Sequence, residues 1–224
     1  MIRIHKHCEA PASLARNKSW SEEDVVTQLK SDQNGKCYLC ERIQITDFQV
    51  EHQKSRTHYP SLRYVWSNLF WCCSYCNGKK SSSFDNIINP VEENVEDLIC
   101  QSFDFPNSKV VFSAIGENTE SVDATIELLG RLFNGTTGMR TFREQQFYDY
   151  AMSRITSFQE KILSWLNTQS TESHAAIIEE LDIKSEFLGS SIGLSNQMRN
   201  CLKLSGSISH GISSNSSTNI NDQG

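Results

Sequence analysis

Cys37-Tyr38-Leu39-Cys40 and Cys73-Ser74-Tyr75-Cys76 are the two stretches that decide how this chain folds. A Cys-x-x-Cys turn offers two thiolates to one ion, and two such turns complete a tetrahedral four-sulfur zinc site. The pairs are 32 residues apart, more than a compact zinc ribbon spans, so another element must fold between them. Cys72 offers a second register, but its spacing to Cys76 is the less usual one, and Cys73 is the expected ligand. Cys8, Cys100 and Cys201 have no partner pattern and read as buried or idle thiols. His5 and His7 beside Cys8 read as an incidental cluster.

Between and just after the pairs lie Val50-Glu51-His52, Trp66-Ser67-Asn68-Leu69 and Cys76-Asn77-Gly78-Lys79-Lys80. These residue types suit attack on a phosphodiester, whose negative charge repels a nucleophile. Oxygen ligands from Glu51 and Asn77 would hold a hard divalent cation that neutralises that charge and steadies the departing oxygen. His52 titrates near neutrality and is the natural general base for water, provided its second ring nitrogen is fixed by a hydrogen bond. His58 competes for that role but has no acid next to it in sequence. Lys54, Arg56, Lys79 and Lys80 are candidate phosphate contacts. Gly78-Lys79-Lys80-Ser81 lacks the upstream glycine of a P-loop, so no nucleotide site is expected.

The pattern Cys37, Cys40, Glu51, His52, Asn68, Cys73, Cys76, Asn77 resembles the zinc-bearing HNH nucleases. The resemblance implies an α+β chain with a treble-clef-like ββα-metal module. In it, a hairpin carries the acid–His pair, the following helix carries Asn77, and Asn68 braces the loop that holds His52. It implies that the four-cysteine zinc is structural and that a separate catalytic ion, magnesium or manganese, sits on Glu51 and Asn77. Hydrolysis would leave a 5′-phosphate and a 3′-hydroxyl. Glu51 stands where many such proteins have Asp. Over about fifty residues the sequence is closer still to the PtuB-type HNH proteins of Septu and retron-associated antiphage systems. That likeness implies a separate ATPase subunit, PtuA-like, as partner. DNA is the favoured substrate, with an RNA backbone compatible with the same residues. A non-catalytic, zinc-stapled subunit that binds nucleic acid or protein is the alternative.

Outward from this core, residues 1–35 read as an N-terminal arm and a helix, with a Ser21…Asp24 capping box, Val25, Val26 and Leu29 inward, and Asn34-Gly35 as its end. Residues 36–90 form the expected nuclease module. Within it, Ile43 to Val50 read as a strand and Tyr75 to Ser82 as the start of a helix. Residues 91–204 read as a small hairpin (Ile99 to Phe105 with Lys109 to Ile115) followed by a mainly α-helical half. Its helices are one capped by Ser121, one from Thr141 to Thr168, and one from Thr171 towards Leu204. Residues 205–224, rich in Ser, Asn and Gly, read as a disordered tail. The net charge of −6 disfavours indiscriminate nucleic-acid binding. Residues 36–80 nevertheless carry seven basic side chains against three acidic ones, a local site for phosphate. No apolar run is long enough to span a bilayer, and a cytoplasmic location with reduced thiols is expected.

Overall fold

The computed structural model describes residues 1–17, 19–43, 46–104, 106–137, 139–182 and 184–187. The expected tail, Cys201 and the helical continuation towards Leu204 lie outside them. The elements run α1 (Glu23–Asp32), β1 (Phe48–His52), β2 (Leu69–Cys73), α2 (Ser74–Lys80), α3 (Val95–Leu98), β3 (Ile99–Asp104), β4 (Lys109–Ala114), α4 (Glu120–Asn134), α5 (Phe142–Thr168) and α6 (Thr171–Glu180). The architecture is mixed, mostly helical with two small antiparallel sheets. No helix among the described residues is long and apolar enough to cross a membrane.

β1 and β2 pair from Phe48↔Cys73 to His52↔Leu69, and the chain enters α2 directly from β2. Cys73 makes that junction: it has extended backbone, and its sulfur accepts from the Cys76 N–H as the helix N-cap. The strand begins at Phe48, later than the expected Ile43, and runs through Glu51-His52 instead of stopping before them. β3 and β4 form the second hairpin in the register Ile99↔Ala114 to Asp104↔Lys109.

Three local expectations change. Asp24 makes no capping box with Ser21; its carboxylate accepts from the Ser13 N–H and hydroxyl, and α1 starts after Glu22 without a side-chain cap. The cap of α4 is Thr119, whose hydroxyl accepts from the Val122 N–H, while Ser121 is inside the helix. The N-terminal segment is irregular but packed. Met1, Ile2 and Ile4 are buried, the Ile4 N–H bonds the Pro90 carbonyl, and the Lys6 ammonium bonds the Trp66 and Leu69 carbonyls.

One apolar cluster runs from Tyr38, Phe70 and Tyr75 through Ile88 and Val95 to Leu128, Leu132, Phe133 and Phe147. The Tyr75 and Phe147 rings stack at 4.6 Å, and the Tyr75 hydroxyl donates to the Leu132 carbonyl. α2 is thereby held on α4 and α5. A buried polar tie lies beside it. Glu144, in a capping box with Thr141 at the start of α5, accepts from the Lys79 ammonium. α6 packs on the far end of α5 through Ile155, Phe158, Ile162 and Ile177.

The hydrogen bond from Lys79, outweighing burial, and those from Thr141 hold the Glu144 carboxyl down at about 2. The folded value is depressed, so its contribution to stability is complete above the ordinary glutamate range and is lost as pH falls towards 2. Glu144→Gln should therefore lower the melting temperature at neutral pH and flatten its acid dependence, measured by thermal unfolding against pH.

Candidate functional site

The four sulfurs of Cys37, Cys40, Cys73 and Cys76 are buried and lie within 4.8 Å of one another. The first turn closes by Glu41 N–H to the Cys37 carbonyl and Cys37 N–H to the Arg42 carbonyl, with Glu41 at φ +62°. The Cys73 N–H points at the Cys37 sulfur, so the two turns are tied to each other by backbone. A Zn–S bond of about 2.3 Å implies a tetrahedral S–S edge near 3.8 Å; the Cys40–Cys73 separation is 4.0 Å. Burial pushes the Cys40 and Cys76 thiols well above the ordinary range. Such a cluster ionises at little cost only around a cation, and its donor set suits zinc. Cys72 is also buried, with its sulfur 3.8 Å from that of Cys37, but it is not one of the four. Cys8 is exposed and Cys100 half-buried.

Val50, Glu51, His52, Ser55, Arg56, Thr57, Asn77, Ser81 and Ser82 line an open, mostly polar cleft of about 470 Å³. The strand supplies Glu51 and His52, and the helix that begins at the second cysteine pair supplies Asn77. The expected acid, base and amide thus meet in one place. The Asn77 amide N–H bonds Gln49, two residues before Glu51 on the same strand. His52 is held from two sides. Its Nε2 is 2.9 Å from the Arg63 carbonyl, and Trp20 meets the ring edge-on at 5.3 Å. A carbonyl only accepts, so Nε2 carries the proton and Nδ1 carries the lone pair. Burial lowers the His52 pKa to about 4, opposed by the Arg63 carbonyl and aided by the charges of Arg56 and Arg63. The ring is neutral at physiological pH.

Asn68 lies under the loop after β1. Its Oδ1 accepts from the Lys54 N–H, and its Nδ2 donates to the Lys54 and Leu62 carbonyls. Among the expected phosphate contacts, Arg56 is exposed at the cleft and Lys54 lies over the Tyr59 ring at 5.0 Å. Lys79 and Lys80 are placed differently. Lys79 is engaged by Glu144. Lys80 is fully buried, 3.0 Å from Glu51 Oε1 and bonded to the His52 carbonyl, so its charge serves the interior and no phosphate reaches it. Burial raises the Glu51 carboxyl, and Lys80 opposes that shift.

The sequence reading missed Asp85. Its carboxylate accepts from the Ser55 N–H and hydroxyl and from His58 Nδ1 at 2.6 Å, and it lies 4.0 Å from Lys80. His58 therefore has an acid after all, supplied 27 residues downstream, and its side chain is 56% exposed. Neither local spacing nor residue type marks Asp85 in advance.

The chain is similar to the Septu protein PtuB of Bacillus thuringiensis. The two are 36% identical over 80 residues, 33% of this chain and 31% of that protein. The similarity supports a Septu-like relationship and spans about a third of that relative's length. No family model matches.

Purified protein should carry one zinc per chain, measured by elemental mass spectrometry. Cys76→Ser should lose it and unfold at a lower temperature, because structural zinc contributes directly to folding. Cys72→Ser should retain it; equal zinc loss in Cys72→Ser would put the other register in the site.

Proposed function

We propose that this chain is a metal-dependent HNH endonuclease that hydrolyses the phosphodiester backbone of nucleic acid, DNA in preference to RNA. The observation that carries this reading is the convergence of His52, Glu51 and Asn77 on one cleft, with His52 Nε2 committed to the Arg63 carbonyl. The order β1, β2, α2 with a buried four-cysteine cluster at the β2–α2 junction supports a ββα-metal module within residues 36–90. The hairpin of β3 and β4 and the helices α4 to α6 are then its companion. The similarity to a Septu protein supports a place in an antiphage complex, with ATP hydrolysis supplied by a PtuA-like partner chain.

Glu51 and Asn77 both line the cleft, and their side-chain oxygens are the kind of ligand that would hold a hard ion. Magnesium or manganese held by these two residues would supply charge neutralisation at the phosphate and at the leaving oxygen. The protein's own groups do the rest. His52 Nδ1 takes the proton from the attacking water, and the Arg63 carbonyl stabilises the imidazolium that forms. Asn68 fixes the loop between them, so that the ring does not rotate away. Lys80 holds one Glu51 oxygen and leaves the carboxylate in a single orientation. Arg56 and Lys54 meet the flanking phosphates. The ion held by the four cysteines takes no part in the chemistry.

His52→Ala should reduce plasmid cleavage by about 10²- to 10⁴-fold with zinc content unchanged and the protein still folded, at a lower melting temperature because a buried, hydrogen-bonded ring is removed. Cleavage at the wild-type rate would remove His52 as the base. The active form is the neutral ring, so the rate should be level through neutral pH and fall only as pH drops towards 4. An acid limb centred near the ordinary histidine value would mean that a different, exposed group is titrating.

A further inference from the structure

Trp20, from the segment before α1, and Arg56 and Arg63, from the loop between β1 and β2, form one cluster. The guanidinium carbons of Arg56 and Arg63 lie 4.5 Å and 4.4 Å from the Trp20 ring centroid, so they are no farther apart than the sum of those distances. Both side chains are exposed. Among the described residues, neither has a carboxylate within ion-pair distance and neither guanidinium makes a hydrogen bond. Arg143, Arg154, Lys79, Lys80 and Lys161 each have an acidic partner. Two planar cations have therefore been brought together against their mutual repulsion, with five N–H donors each left for something else. The indole offsets part of that repulsion by cation–π attraction.

The cluster is coupled to the cleft. Arg56 is one of its lining residues, and the backbone carbonyl of Arg63 is the acceptor that fixes His52 Nε2. The same indole meets His52 edge-on, so the base and both charges share one support. An anionic chain lying across the two guanidiniums would run past the base. The ring is already engaged by His52, Tyr64 and both arginines, so it serves as a holder of charge and not as a platform for a stacked base.

We propose that Arg56 and Arg63, mounted on Trp20, form a fork that grips the sugar–phosphate backbone of the nucleic acid and seats it beside His52. The fork deepens the nuclease reading and rests on it for the identity of the anion. Guanidiniums on phosphate carry no sequence information, so the grip is independent of base sequence.

The test is fluorescence anisotropy of two short labelled duplexes of unrelated sequence, titrated with salt in magnesium-free buffer without chelator, so that the four-cysteine site keeps its ion. Wild type is compared with Arg56→Gln, Arg63→Gln, the double variant, Trp20→Leu and the charge control Arg131→Gln on α4. Thermal unfolding verifies that each is folded. Each glutamine should lower the slope of log affinity against log salt by about 0.9, equally for both sequences, and the double variant by about twice that. Trp20→Leu should weaken binding although both charges remain, Arg63→Lys should restore only part of the Arg63→Gln loss, and Arg131→Gln should match wild type. In magnesium, Arg63→Gln should raise KM more than it lowers kcat. A folded double variant with wild-type affinity and slope would overturn the fork, even in a protein that cleaves, and would leave an acidic protein surface as what the pair meets. A wild type that never cleaves but shows the predicted loss of slope would remove the nuclease reading and support the fork.

Discussion

Two turns 32 residues apart bring four buried sulfurs within 4.8 Å, and the geometry of the cleft depends on that closure. Cys73 is at once the last residue of β2, the cap of α2 and one corner of the cluster. An ion that binds all four sulfurs therefore fixes the angle at which α2 leaves the hairpin. Asn77 follows the last ligand directly, and Lys80 is one helical turn further on. Both reach the Glu51–His52 end of β1 only if that angle is held. A helix of seven residues has too little hydrogen bonding to stand alone, so its position is set by the four-cysteine cluster at one end and by the Tyr75–Phe147 stack and Lys79–Glu144 pair on its flank.

The charges are sorted by depth. Lys80 and Glu51 form an interior pair, with Asp85 beyond it tying down Ser55 and His58. Arg56 and Arg63 stay outside on an aromatic support. A buried ion pair of this kind adds little net stability but is costly to break one-sidedly, which favours a single arrangement of the carboxylate. The neutral His52 lies between the two layers, its proton held on Nε2 by a backbone carbonyl. That division lets an acidic chain keep a positive site without a generally basic surface.

Much of this was legible in the sequence because it is local. Cysteine spacing, Glu51-His52 and the Asn77 that follows Cys76 are fixed by a few bonds each, and the hairpin at 99–114 and the helix from Thr141 follow from period and capping. What was not legible depends on long-range contacts. Lys80 looks like a surface cation until Glu51, from β1, is placed against it. Ser21 and Asp24 have capping-box spacing, but Ser13 reaches the carboxylate first. Asp85 and Trp20 lie outside the cysteine segment and acquire meaning only when loop 53–68 folds back over β1. Each contact is between residues whose local sequence has no reason to pair them.

The central claim is that Glu51 holds the ion under which His52 activates water. The measurement that tests it most directly is the plasmid cleavage rate of wild type and Glu51→Gln as a function of magnesium concentration, with zinc content recorded for both. The account predicts cleavage that saturates with magnesium in wild type, and a strongly reduced rate with a higher magnesium requirement in the variant, at equal zinc. Identical magnesium curves for the two proteins would contradict it.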